Sequence, residues 1–137
     1  MTARRAAPLA AVAALVLAAC GTPSADLFVV DRTGSLPDAT LTLRVGDGGT
    51  VRCDGGEEVE IPSEDLLDAR RLAEDLKPLL DRGPRLPPRA GSLLQYRVTG
   101  EEGEATFADN SRGLPEPFAR LIRFTRKLAT ERCGLDR

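Results

Sequence analysis

Cys20, Cys53 and Cys133 are the most reactive side chains in this chain of 137 residues, which contains no histidine and no tryptophan. The commonest general base and metal ligand is therefore missing. Cys53 and Cys133 stand alone, with no C-x-x-C spacing, so their pattern is not that of a metal or redox site. Ser111 has no histidine to activate it and no G-x-S-x-G elbow occurs, so serine hydrolase chemistry has no support. The paired carboxylates Glu57-Glu58, Glu64-Asp65 and Glu101-Glu102 could cleave a glycosidic bond only if two converged in a pocket. All three pairs fall at expected turns or helix starts. Asp47 to Asp54 is rich in glycine and acid but lacks the alternating ligand spacing of a calcium loop. Phosphate loops and dinucleotide fingerprints are absent. Arg120, Arg123, Arg126 and Lys127 decorate one expected helix. With 19 basic against 21 acidic residues and a net charge of -2, that stripe reads as a solvated face, and nucleic acid is excluded as a partner. These residues identify no catalytic group, cofactor, metal or small-molecule substrate, and the chain reads as a non-enzyme.

The cysteines find their roles by position. Arg4 and Arg5 precede an apolar run from Ala6 to Ala19, which has the length of a secretory signal and is too short to span a bilayer. It ends in Leu17-Ala18-Ala19-Cys20, which resembles the bacterial lipobox, in which the cysteine is diacylated and becomes the first residue after cleavage. Residues 1–19 are then a lipoprotein signal peptide and 20–25 a lipidated tether. Each buried methylene contributes about 0.8 kcal/mol, and two acyl chains hold a protein stably on a membrane. Arg4-Arg5 also fits twin-arginine export, although Ala6-Ala7-Pro8 lacks the bulky apolar residue usual there, which favours the general secretory route. Cleavage removes two positive charges, so the acyl anchor rather than a basic patch must hold this acidic domain at the outer face of the cytoplasmic membrane.

With Cys20 acylated, Cys53 and Cys133 remain as a pair in an oxidising compartment, where a structural disulfide is expected. The elements that must position them are legible. Leu27 to Val30 reads as a strand, and Leu41, Leu43 and Val45 alternate with polar residues in a second. Asp47-Gly48-Gly49 turns the chain into Thr50–Cys53, with Val51 and Cys53 on one face, and Asp54-Gly55-Gly56 turns it again. Ser63 reads as an N-cap for a helix with apolar residues at 66, 69, 72, 73, 76, 79 and 80. Pro78 is expected to kink its last turn, and Arg82 to Pro88 forms a stiff connector. Leu94, Tyr96 and Val98 form a strand, Gly100 to Gly103 a turn, and Ala105 to Ala108 the return. Pro115 opens a final helix whose stripe of Phe118, Leu121, Ile122, Thr125, Leu128 and Ala129 places Cys133 toward the core. The expected fold class is α+β: an antiparallel sheet of four to five strands covered on one face by two helices, in one domain spanning 26–137.

An early turn at Arg32-Thr33-Gly34, strands at Asp47 to Cys53 and Leu94 to Val98, and the closing Cys133 to Leu135 together resemble a family of small uncharacterised actinobacterial lipoproteins, and the bias to arginine, alanine and glycine agrees with a high-GC source. The resemblance implies an anchored lipoprotein without an established activity. Thr33-Gly34-Ser35-Leu36 and Tyr96-Arg97-Val98 also resemble emfourin, a protein inhibitor of thermolysin-like metallopeptidases. That likeness implies a rigid turn at Thr33, Gly34, Ser35 and Leu36 presented to a partner. The expected role is a non-enzymatic binding or accessory module for an unknown envelope or secreted protein, held at the membrane by Cys20; the alternative is an inhibitor of an extracytoplasmic peptidase.

Overall fold

The computed structural model describes residues 25–136. Cys20, the expected signal peptide 1–19 and all but the last residue of the tether 20–25 lie outside the described residues. The chain runs β1 (Asp26–Gly34), β2 (Leu41–Gly46), β3 (Thr50–Cys53), β4 (Glu58–Glu60), α1 (Ser63–Arg82), β5 (Leu94–Gly100), β6 (Gly103–Ala108) and α2 (Glu116–Glu131). Its strands form one antiparallel sheet of six in the order β4-β3-β2-β1-β5-β6, and both helices pack on the same side.

Period-two alternation produces this arrangement. Phe28 and Val30 of β1, Leu41, Leu43 and Val45 of β2, and Leu94, Tyr96 and Val98 of β5 are all buried under the helices. Their neighbours Asp31, Thr42, Arg44, Gln95 and Arg97 point to the uncovered side, as expected for an antiparallel sheet with one solvated face. α1 contributes Ala69, Leu72, Leu76, Leu79 and Leu80 to the core, and α2 contributes Phe118, Leu121, Leu128 and Ala129. The rings of Tyr96, Phe107 and Phe118 stack in a column with centroids 5.4 and 4.3 Å apart, joining β5 and β6 to α2.

Four local expectations are corrected. A sixth strand arises from Glu58–Glu60, which pairs with β3 from Thr50↔Glu60 to Arg52↔Glu58; only Val59 packs inward, too short a run to show alternation. The Arg32-Thr33-Gly34 segment is not a turn but the end of β1, because β5 pairs it as far as Gly34↔Leu94. Ser63 is the first helical residue rather than the cap: Pro62 takes that place with extended backbone, and no side chain caps the end. The helix runs through Pro78, which deletes one backbone bond on an exposed stretch, and stops at Gly83, whose left-handed backbone (φ 60°) lets its N–H reach Leu79 and Leu80.

The connector after α1 lies along the β6 edge. The Thr106 N–H donates to the Pro84 carbonyl at 3.0 Å and the Leu86 N–H to the Thr106 carbonyl at 2.9 Å, a short parallel pairing that covers an otherwise open strand edge.

Candidate functional site

Arg32 decides the shape of the segment singled out by the sequence. It occupies an inward position on β1 and is 1% exposed. Its guanidinium donates from Nε to the Ala39 carbonyl and from Nη2 to the Asp38 carbonyl, both at 2.8 Å, so the β1–β2 connection closes over a buried cation. Burial pushes the nearby Tyr96 phenol above its usual range, with the charges of Arg32 and Arg126 opposing the shift.

The four residues expected to meet a partner have separate roles. Thr33 lies on the uncovered sheet face, opposite Gln95. Gly34 serves a close approach: a Cβ there would sit 2.1 Å from the Leu93 carbonyl oxygen. The Ser35 N–H donates to that same oxygen at 3.1 Å. Leu36 is half-buried and packs against the core rather than projecting outward. The segment is rigid, but its apolar side chain is already occupied.

Cys53 and Cys133 form a disulfide with Cα atoms 5.8 Å apart. Cys53 ends β3 as expected. Cys133 lies in the turn after α2 rather than on the helix, with its N–H on the Leu128 carbonyl at 3.1 Å. The bond ties the end of the chain to β3.

The uncovered sheet face carries a groove that residue types alone did not reveal. Register places Thr42, Asp31, Arg97, Thr106 and Arg85 in one row across β2, β1, β5, β6 and the connector. Thr33 and Gln95 form the next row. Leu86, Pro87 and Pro88 rise beside these rows as a wall, enclosing about 380 Å³.

Ser111 fastens the wall and Asp109 and Asn110 fasten the chain that follows it as far as Leu94, in a sequence that reads only as a turn. Asp109 Oδ2 accepts the N–H groups of Leu93 and Leu94 at 3.1 Å, and its Oδ1 accepts the Ser92 hydroxyl at 2.8 Å. Asn110 accepts the Arg89 N–H and donates to the carbonyls of Arg89 and Ala90. The Ser111 hydroxyl accepts the Ala108 N–H at 2.9 Å and faces the carbonyls of Leu86 at 3.2 Å and Pro87 at 3.0 Å. All three side chains are committed to positioning backbone, so Ser111 is a structural hydroxyl.

Of the remaining candidates, several are paired, whereas Glu57, Glu64, Glu101 and Glu102 are exposed. Glu58 pairs with Arg52 at 3.4 Å. Asp65 is buried and accepts a hydrogen bond from Lys127, which raises the Lys127 pKa above its usual value. Arg120 pairs with Asp75 at 2.5 Å and Arg123 with Glu116 at 2.8 Å, so carboxylates answer most of the basic stripe on α2. Among the described residues no three His, Cys, Asp or Glu side chains come together as a metal site, and no helix is long and apolar enough to cross a membrane. No family model, curated protein or solved structure matches the chain.

Proposed function

We propose that this chain is an extracytoplasmic lipoprotein, anchored through Cys20, whose domain has no catalysis of its own and binds a protein partner through the uncovered sheet face. The observation that carries the reading is the pre-formed groove with its fastened wall: side chains of three consecutive residues hold one connector in place beside an open, polar sheet surface. Such pre-organisation lowers the entropic cost of binding. The disulfide supports an oxidising compartment. Asp26 begins β1 and Thr33 stands seven residues further on, so a tether entering at Ala25 would hold the groove end roughly 24 Å beyond its point of attachment.

Two experiments test this reading. Membrane fractionation of cells expressing the full chain should retain it with the mass of a diacylglyceryl adduct, and Cys20→Ala should release it; retention of the variant overturns the anchor. A photo-crosslinking residue placed at Gln95 should give a discrete adduct on intact cells, whereas one at Arg71 on the exposed side of α1 should give none. Equal labelling from both positions, or none, overturns the binding surface.

The Arg32 clasp favours peptidase inhibition as a second reading, because an inhibitory loop must keep its shape when it enters a cleft. The oxidised protein should then inhibit a thermolysin-like metallopeptidase, and Ser35→Arg should abolish the effect. No inhibition at micromolar concentration overturns it for that peptidase class. Leu36 is unsuitable for this test, since changing it disturbs the core.

A further inference from the structure

The row Arg97–Thr106–Arg85 has an electrostatic peculiarity. Two arginines flank a threonine hydroxyl across three adjacent backbones, with Cα atoms roughly 10 Å apart at the usual strand spacing. Arg85 is exposed and has no carboxylate at ion-pair distance among the described residues. Arg97 reaches Glu104 only at 3.6 Å, with both side chains about half exposed, longer than the 2.7–2.9 Å of a strong charged hydrogen bond. The one acid lining the groove, Asp31, stands opposite Arg97 in register and accepts the Thr42 hydroxyl at 2.8 Å. Of the two guanidinium groups, Arg97 therefore has Asp31 and Glu104 nearby, while Arg85 has no carboxylate partner among the described residues, on a chain whose overall charge is negative.

The rest of the lining indicates which anion fits. Thr33, Gln95 and Thr106 supply neutral donors, while the exposed rings of Pro87 and Pro88 supply an apolar wall, Leu86 beneath them packing against the core. A planar guanidinium matches a planar carboxylate through two parallel N–H···O bonds. An apolar wall beside that grip suits a carboxylate carried next to an aliphatic side chain. We propose that the groove recognises an acidic segment of a protein partner, with Arg85 and Arg97 holding an Asp or Glu carboxylate and the Pro87-Pro88 wall covering a neighbouring apolar residue. This deepens the binding-module reading and rests on it for the source of the ligand.

The test is a nuclear magnetic resonance titration of the oxidised protein with a capped Leu-Glu-Leu peptide, its Leu-Gln-Leu counterpart and inorganic phosphate. The glutamate peptide should shift the amide signals of Gln95, Arg97 and Thr106 saturably, and the glutamine peptide should bind at least about tenfold more weakly, the ratio that one lost charged contact gives. Arg85→Gln should weaken glutamate-peptide binding by a similar factor without lowering the melting temperature, because Arg85 is exposed, and Arg85→Lys should restore part of it. Equal binding of the two peptides, or shifts confined to another surface, overturns the proposal. Phosphate binding as tight as the peptide overturns the peptide assignment and leaves a general oxyanion site. Crosslinking from Gln95 without glutamate discrimination would remove carboxylate recognition and keep the binding surface; absence of both would remove both.

Discussion

Reducing the Cys53–Cys133 disulfide should cost this domain a large part of its stability. The bond joins positions 80 residues apart, and the loop-closure model gives about 4.5 kcal/mol for a cross-link of that span. The folded structure identifies the state on which this acts. β3 remains paired on both sides by β2 and β4, and the turn after α2 is held by the Cys133 N–H on Leu128 and the Leu135 N–H on Ala129. Reduction therefore leaves the native contacts largely intact and chiefly releases the unfolded chain. Comparing oxidised with reduced protein of identical sequence avoids loss of a packed side chain. Urea unfolding should be followed by circular dichroism and by fluorescence of the single tyrosine, Tyr96, undisturbed because tryptophan is absent. With a denaturant dependence of about 1.5 kcal/mol per molar urea, the midpoint should fall by about 3 M, and the slope should steepen as the unfolded state expands. A total stability of about 5–15 kcal/mol would leave the reduced domain marginal. A midpoint shift below about 0.5 M would refute the reasoning, because the bond would then join segments already held together in the unfolded ensemble.

Three further outcomes are expected. Lys127→Met should lower the melting temperature, since it leaves the buried Asp65 carboxylate without its cation, and Asp65→Asn in the same chain should recover part of the loss; an unchanged melting temperature for the single variant would show the pair to be inert. Ser111→Ala should destabilise by about 2 kcal/mol, because the buried Ala108 N–H loses its acceptor and the Leu86 and Pro87 carbonyls lose the one hydroxyl proton they share, and hydrogen exchange should quicken at Leu86 if the hydroxyl holds the wall. Tyr96 should ionise above pH 10, read as tyrosinate absorbance, since burial disfavours its anion. In the unfolded chain it ionises near 10, so stability is intact below that pH and is lost as pH rises through the folded-state value. Lys127, also raised by its partner, acts in the same direction, and an alkaline limb of the stability curve that begins well below pH 10 would contradict both.

Elements with strong alternation or helical spacing were legible from the chain alone. Leu41, Leu43 and Val45, or Leu94, Tyr96 and Val98, bury one face because a pleated strand turns successive side chains to opposite sides. The stripe from Ala69 to Leu80 is helical because 3.6-residue spacing gathers those side chains on one side. Glu58–Glu60 escaped notice because one inward valine between two glutamates carries almost no pattern, and that strand exists only because β3 offers it an edge. The turn at Arg32-Thr33-Gly34 is implied only by the lipoprotein resemblance and by no pattern of its own; β5 continues to pair there, and Gly34 is what lets Leu93 approach.

What the sequence by itself determined is the set of local choices: which side of each strand is apolar, where α1 stops, and the expectation that Cys53 pairs with Cys133. Those choices depend on neighbours a few residues away and on the count of reactive groups. What only the tertiary structure decided is where distant residues meet. Arg32 became a buried clasp because the β1–β2 connection folded its carbonyls over it. Asp109-Asn110-Ser111 became a fastening for the connector some twenty residues upstream. Arg85, Thr106 and Arg97 entered one row because three backbones aligned in register. Register is a relation between strands: alternation within one segment fixes which face each side chain takes, and pairing with the neighbour fixes which residues stand opposite.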